Sequence, residues 1–458
     1  MQAFFEKRST WMLVLVCAGI YFQTLWFEFL RIDDDVNVFA NPLYLNQGLE
    51  SLWTFWEQPY ERLYIPVTYT LWGFIHAAES IVAPDHFHPG LYHLINVLVH
   101  LANGILVLRI AESLLGNRFG AWVAAFIFLV HPYQVEGVAW VTSFRGLIST
   151  FFALALMEYF VRKRGGFTPA QAGWALVLFA LAILSKPSAV GVLPLLAAVG
   201  VGWFSENRKS QLLFFCVCAA VFLPTALLTK AEQPDEISGA TIPWTARPAV
   251  FADAVSFYLT KAILAWGFSL DYARTPVEVL RHPNLPGFLV TACVIFLVAK
   301  IPVEKYRSRG LFLLAAFALA LVPVSGLVSF QFQNYSTVAD RYVYLPLLAL
   351  ALLAGDLAAR LSTKGRALAA VWLCLLAIQS VHLTTFWKDE FSLFERTVEL
   401  NPRSLFGHNN LGFAYGQRGD WELAVFHYEQ AIRLSPQNPI IAENLQKARV
   451  RLEIQKAL

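Results

Sequence analysis

The chain has 458 residues, 57% of them hydrophobic and 15% charged, with a mean hydropathy of +0.52 and a formal net charge of +3. Soluble domains carry about 25% charged residues, so this composition excludes an ordinary soluble enzyme. The near balance of charge gives no basis for a nucleic-acid partner.

The apolar residues run through most of residues 11–386 in many segments, which predicts an all-α, polytopic membrane protein. The chain opens with a basic FEKRST and a long apolar stretch that lacks a small-x-small cleavage site, so 11–30 reads as a retained first span. Further stretches long enough to cross lie at 91–110, 119–139, 146–161, 170–185, 187–203, 211–229, 286–302, 310–328, 343–361 and 367–386, eleven spans in all. A twelfth candidate, 250–270, is interrupted by Asp253 and Lys261.

Short cytoplasmic loops concentrate Lys and Arg. With Lys7 and Arg8 inside, alternation puts Arg109 and Arg118, Arg162 to Arg164, Arg208 and Lys209, Lys300 to Arg309, and Arg360 to Arg366 on the same side. Every inside turn is then basic, provided that 250–270 does not cross and forms an interfacial or re-entrant helix on the outer side. The N-terminus is thereby expected in the cytoplasm and the C-terminus on the far side, periplasmic in a bacterial inner membrane or lumenal in an endoplasmic reticulum. The five cysteines fall in apolar runs and predict neither a disulfide framework nor a metal cluster.

Polar residues gather on the expected outer face, and these are the functional clue in a many-span protein. Asp33, Asp34 and Asp35 follow directly on the first span in FLRIDDDVNVFANP; as a bland feature they orient the span or cap a helix, and as a functional one they supply a general base or bind a cation. In HPYQVEGVAWVTSFRGL, His131, Glu136 and Arg145 cluster where a span emerges, and a carboxylate such as Glu136 is costly in that setting without a task. Lys186 lies alone between two apolar runs in SKP, and Arg341 and Tyr342 lie in ADRYVYLP. An isolated cation there is an anchor, or meets a phosphate. His86, His88, His93 and His100 lack ligand spacing and are assigned to packing or hydrogen bonding. Carboxylates and cations on one face suit group transfer from a lipid phosphate, and no P-loop or dinucleotide glycine motif points to a soluble nucleotide donor.

From residue 387 the pattern turns amphipathic and charged. A shift of 34 pairs Phe394 with Tyr428, Leu400 with Leu434 and Pro402 with Pro436, the period of a tetratricopeptide repeat. Residues 405–438 form one full repeat, preceded by half of another and followed by a terminal helix. Two domains are expected, 1–386 and 387–458, the second suited to contacts with a protein.

In order along the chain, Phe29, Asp33, Asp34, Asn41 and Pro42, then FHPGLYHLINVLVH, HPYQVEGVAWV, LSKP, ADRYVYLP and the repeat tail resemble the transmembrane and tetratricopeptide-repeat O-mannosyltransferases and their bacterial relatives. The resemblance implies a GT-C fold and transfer of a sugar, commonly mannose, with inversion, from a polyprenyl-phosphate donor to a hydroxyl of an acceptor protein or glycan. It makes Asp33 and Asp34 the acidic pair of the first outer loop, one of them the base, and lets Asp35 vary. Glu136 takes the second acidic position; His131, Arg145, Lys186, Arg341 and Tyr342 fall around the lipid phosphate. A divalent cation is allowed and not required. Where relatives carry Glu-Arg-Lys-Asp, this chain has Ser143, Phe144, Arg145 and Gly146, keeping one charge. Two other classes compete: a flippase for lipid-linked sugars, which would place polar residues at mid-membrane, and a non-catalytic scaffold built on the repeats.

Overall fold

The computed structural model describes residues 2–45, 49–82, 87–232 and 242–457; His86 lies outside them. These residues form helices and short 3-10 turns, with no strand among the described residues beyond a single bridge between Tyr60 and Leu63. Five helices are long and apolar enough to cross a bilayer: Pro89–Leu115, Val141–Arg162, Ser205–Ala231, Glu304–Val324 and Thr363–Trp387. Six shorter apolar helices, Trp11–Trp26, Arg118–Val130, Pro169–Ser185, Pro187–Trp203, Leu285–Ala299 and Leu347–Ala358, complete the set. Each falls on one of the eleven expected stretches. The protein is therefore an all-α integral membrane protein.

Residues 250–270 do not join that set. The helix Arg247–Leu264 buries Val250, Ala254 and Tyr258 and exposes Ile263 and Leu264, and the chain then turns at Ala265 with φ +50°. The expected span 119–139 is divided into Arg118–Val130 and Gln134–Ala139. Pro132 has no amide to donate and disfavours helical backbone at His131, which is extended (φ −66°, ψ 133°). One helix of the outer segment was not foreseen: Pro66–Val82, which opens on a proline and buries Tyr69 and Trp72 in a second core with Tyr44, Phe55, Tyr92, Phe144 and Ile148.

Small residues let the bundle close. Gly120 and Gly355 meet where Arg118–Val130 crosses Leu347–Ala358, and a Cβ on either would strike the carbonyl of the other. The basic turns collect at one end: Arg164 pairs with Glu206 at 2.9 Å, Arg309 lies over Trp203, and Arg366 over Phe119. The acidic loop, residues 131–145, Lys186, residues 330–346 and the start of the repeats collect at the other. The repeat is the antiparallel pair Leu405–Gln417 and Trp421–Leu434, with Gly412 against the Tyr428 ring and Gly419 (φ +78°) in the turn. Glu390–Leu400 precedes it and Pro439–Ala457 follows, whose Leu445 and Ala448 pack on Ala424 and Tyr428.

Candidate active site

The acidic run is divided by its backbone into three environments. Asp34 is fully buried: its Oδ2 accepts from the Leu30 amide at 2.9 Å, and its Oδ1 from the Thr142 amide at 2.9 Å and from the Thr142 hydroxyl. Burial pushes its carboxyl up to about 7, against the lowering effect of those donors. Asp33 points the other way, its side chain 37% exposed, and its Oδ2 accepts from Arg145 Nη2 at 3.1 Å. Asp35 opens a single turn of π-helix, Asp35–Phe39, and contributes its carbonyl to the Ala40 amide. Consecutive side chains in a coiled turn diverge, which is why neighbours so alike in sequence differ so much in surroundings.

Glu136 is buried on the short helix Gln134–Ala139 that Pro132 sets off from the preceding span. It is neutralised: Arg341 Nη1 donates to Oε1 and the Arg341 amide to Oε2 at 2.9 Å. The Arg341 guanidinium also lies over Trp140, Phe332 and Tyr342, at 5.6, 4.3 and 5.0 Å from the ring centres. Arg145 lies over the same Trp140 ring at 5.9 Å, so one indole carries both guanidinium groups.

Lys186 caps Pro169–Ser185 in extended backbone and has no carboxylate within ion-pair distance among the described residues. Its ammonium faces Gly146, whose missing Cβ would lie 3.5 Å from Nζ. Burial first, then Arg145 and Arg341, push it down to about 7. Lys186, Gly146, Arg341 and Tyr342 line one crevice of about 30 Å³, with Ser149, Thr150 and Tyr344 on its walls. Half-buried Lys186 thus faces a polar crevice beside two guanidinium groups.

His131 stands apart from this group. Its Nε2 bonds the Ala262 carbonyl at 3.0 Å, its Nδ1 accepts from the Tyr133 amide at 3.2 Å, and its ring stacks on Tyr133. With both nitrogens engaged it is a satisfied core histidine, and it offers nothing to a phosphate. His100 is likewise structural, bonding Tyr344 Oη at 2.6 Å and the Leu129 carbonyl. As for a divalent cation, no group of three or more His, Cys, Asp or Glu able to hold one occurs among the described residues. The Asp34 oxygens are taken by Leu30 and Thr142 and one Asp33 oxygen by Arg145, so these residues do not fit a resident ion.

Sequence reasoning missed Thr142, which holds Asp34 across 108 positions, and Asp340, whose Oδ1 accepts from Tyr272 Oη at 2.7 Å one residue before Arg341. Neither residue type is unusual in its local context, so no local signal marks them.

The tetratricopeptide repeat family model matches residues 406–438. The chain is 23% identical over 484 aligned positions to the mouse (Mus musculus) protein O-mannosyl-transferase TMTC3, covering 94% of this chain and 51% of that protein. To protein O-mannosyl-transferase Tmtc3 of Drosophila melanogaster it is 22% identical, covering 83% and 50%. The chain thus spans about half the length of these relatives. Among solved structures it is similar to ArnT from Cupriavidus metallidurans bound to undecaprenyl phosphate, with a TM-score of 0.42 and 13% identity, covering 95% of this chain and 77% of that one. Along 94% of its length, then, the chain resembles proteins named protein O-mannosyl-transferases, the same resemblance that its own motifs carry.

Proposed function

We propose that the protein transfers a hexose, mannose or a relative, from a polyprenyl-phosphate donor to a hydroxyl of an acceptor protein, at the end of the bundle that holds the acidic loop. Residues 1–386 carry the reaction and 387–458 meet the acceptor, with the N-terminus cytoplasmic and the repeats periplasmic in a bacterial inner membrane. The observation that supports this most is a part-exposed carboxylate, Asp33, ion-paired to Arg145, whose neighbour Gly146 faces the half-buried Lys186 ammonium, itself without an ion-pair partner among the described residues.

In this reading Asp33 is the base. It has the exposure to meet an incoming hydroxyl, whereas the Asp34 oxygens are already occupied by donors. The acceptor oxygen attacks the anomeric carbon as its proton passes to Asp33. The bond from that carbon to the phosphate oxygen breaks, and the electron pair leaves with the polyprenyl phosphate. Lys186, helped by Arg145, stabilises the charge that grows on the leaving oxygen. Arg341 is held by Glu136 and keeps Tyr342 against the crevice, a positioning task. The test is purified protein in lipid vesicles, given polyprenyl-phosphate mannose or glucose and candidate acceptor proteins, with transfer read by mass spectrometry. Modification that requires both the lipid donor and Asp33 is the expected result; no transfer from any such donor would sink the reading.

A further inference from the structure

The amides of Glu28, Leu30 and Arg31, just before the acidic pair, are anchored to two parts of the molecule. The Glu28 amide donates to the Lys388 carbonyl at 3.0 Å and the Arg31 amide to Glu390 Oε1 at 2.7 Å, while the Leu30 amide between them holds Asp34. Lys388 and Glu390 begin the C-terminal region: Asp389 caps the helix Glu390–Leu400 by accepting from the Ser392 amide at 2.8 Å, which fixes Glu390 in its first turn. A second bridge lies one residue earlier. Trp387 stacks on Trp140, the ring that carries Arg145 and Arg341, at 6.2 Å and 26°. A small cavity behind Glu136 is closed from the C-terminal side by Trp387, Leu393, Arg396 and Thr397.

We propose that residues 387–400 form a wall of the reaction site, with Glu390 a positioning residue that sets the backbone of the acidic loop. The C-terminal region is then part of the catalytic unit from its first helix, and the repeats beyond 405 are carried on that wall. This rests on the reading of Asp33 and Asp34 as the reacting loop. The geometry argues for position over mere adhesion, because the carboxylate reaches a main-chain donor two residues before Asp33. Loss of that acceptor leaves an amide free to rotate the loop by which both aspartates are aimed.

The experiment compares full-length protein in lipid vesicles with Glu390→Ala, Glu390→Gln and, on the exposed face of the last helix, Glu453→Gln, using amide hydrogen exchange and transfer kinetics from polyprenyl-phosphate mannose. Glu390→Ala should raise exchange in residues 28–41 and lower kcat by about tenfold with the donor KM little changed, the scale of one charge-assisted hydrogen bond. Glu390→Gln keeps an acceptor oxygen and should restore most of both; Glu453→Gln should match the parent. Unchanged exchange in 28–41, or a loss of kcat that only follows the loss of folded protein and is not rescued by Gln, overturns the proposal. If the parent itself transfers from no lipid donor, the functional reading fails, while the exchange data still decide whether Glu390 holds the loop.

Discussion

Two neighbouring aspartates alike in sequence lie in opposite surroundings, Asp33 part-exposed against Arg145 and Asp34 buried against Thr142, and the proposed reaction gives them different tasks. Asn at position 33 should lower transfer by about 10²- to 10⁴-fold, the range for removing a general base, with thermal unfolding nearly unchanged because the side chain is part-exposed. Ala at position 34 should instead lower stability by about 1–3 kcal/mol, the cost of orphaning buried donors. Because the folded Asp34 carboxyl is pushed up to about 7, from an unfolded value near 3.9, its contribution to stability is full below about pH 4 and is lost as pH rises through 7. The melting temperature of the parent should therefore fall between about pH 4 and 7, and Asp34→Asn should flatten that dependence; an equal slope in both would refute the assignment. A third change probes the cation: Gly146→Asp puts a carboxylate beside Lys186 Nζ and should raise the donor KM by about tenfold or more, as a competing counterion does. Legibility at this scale followed cost. Asp33, Asp34, Glu136, Lys186 and Arg341 stand out because an ionisable group beside a bilayer demands a reason. His131 misled for the opposite cause: beside a proline at a span end it resembles a ligand, and only the long-range carbonyl of Ala262 reveals it as satisfied.

Elements were easier to read than residues, because a bilayer imposes length and hydrophobicity on each span separately. The eleven stretches follow from that constraint, and Arg247–Leu264 is not among the helices apolar enough to join them. What escaped were features decided between elements: the break after Val130, written in Pro132 but outweighed by apolar neighbours, and Pro66–Val82, whose aromatic face has meaning only against Tyr44, Phe55 and Phe144. Helix crossing belongs to the same class. Gly355→Leu should force apart Arg118–Val130 and Leu347–Ala358, lowering stability in detergent by about 1–3 kcal/mol, as overpacking does, and a variant as heat-stable as the parent would show that the bundle can yield there.

For the molecule as a whole, the start of the repeat region is bonded to the segment around Asp271 as well as joined to the last apolar helix. Buried Asp271 accepts from Ser404 Oγ at 2.6 Å, its carbonyl accepts from Asn401 Nδ2 at 3.3 Å, and Arg403 pairs with Glu278 at 3.1 Å. Asp271→Ala should loosen this seam and make the turn 401–404 a site of limited proteolysis, releasing the repeats; resistance equal to the parent would mean that the contacts farther along suffice. None of these partners could be paired from sequence, since 133 positions separate Asp271 from Ser404, although the repeat itself was plain from its period of 34.

The bond between Arg145 and Asp33 has one more implication. An intact donor phosphodiester carries one negative charge, and Lys186 with Arg145 and Asp33 sums to one positive. In the proposed reaction the phosphate monoester would leave as a dianion, while the proton from the acceptor would neutralise Asp33 and release Arg145 to the second oxygen charge. With Lys186 protonated, the charge sum of the proposed site would then be the same before and after transfer, one guanidinium changing allegiance between a carboxylate and a phosphate.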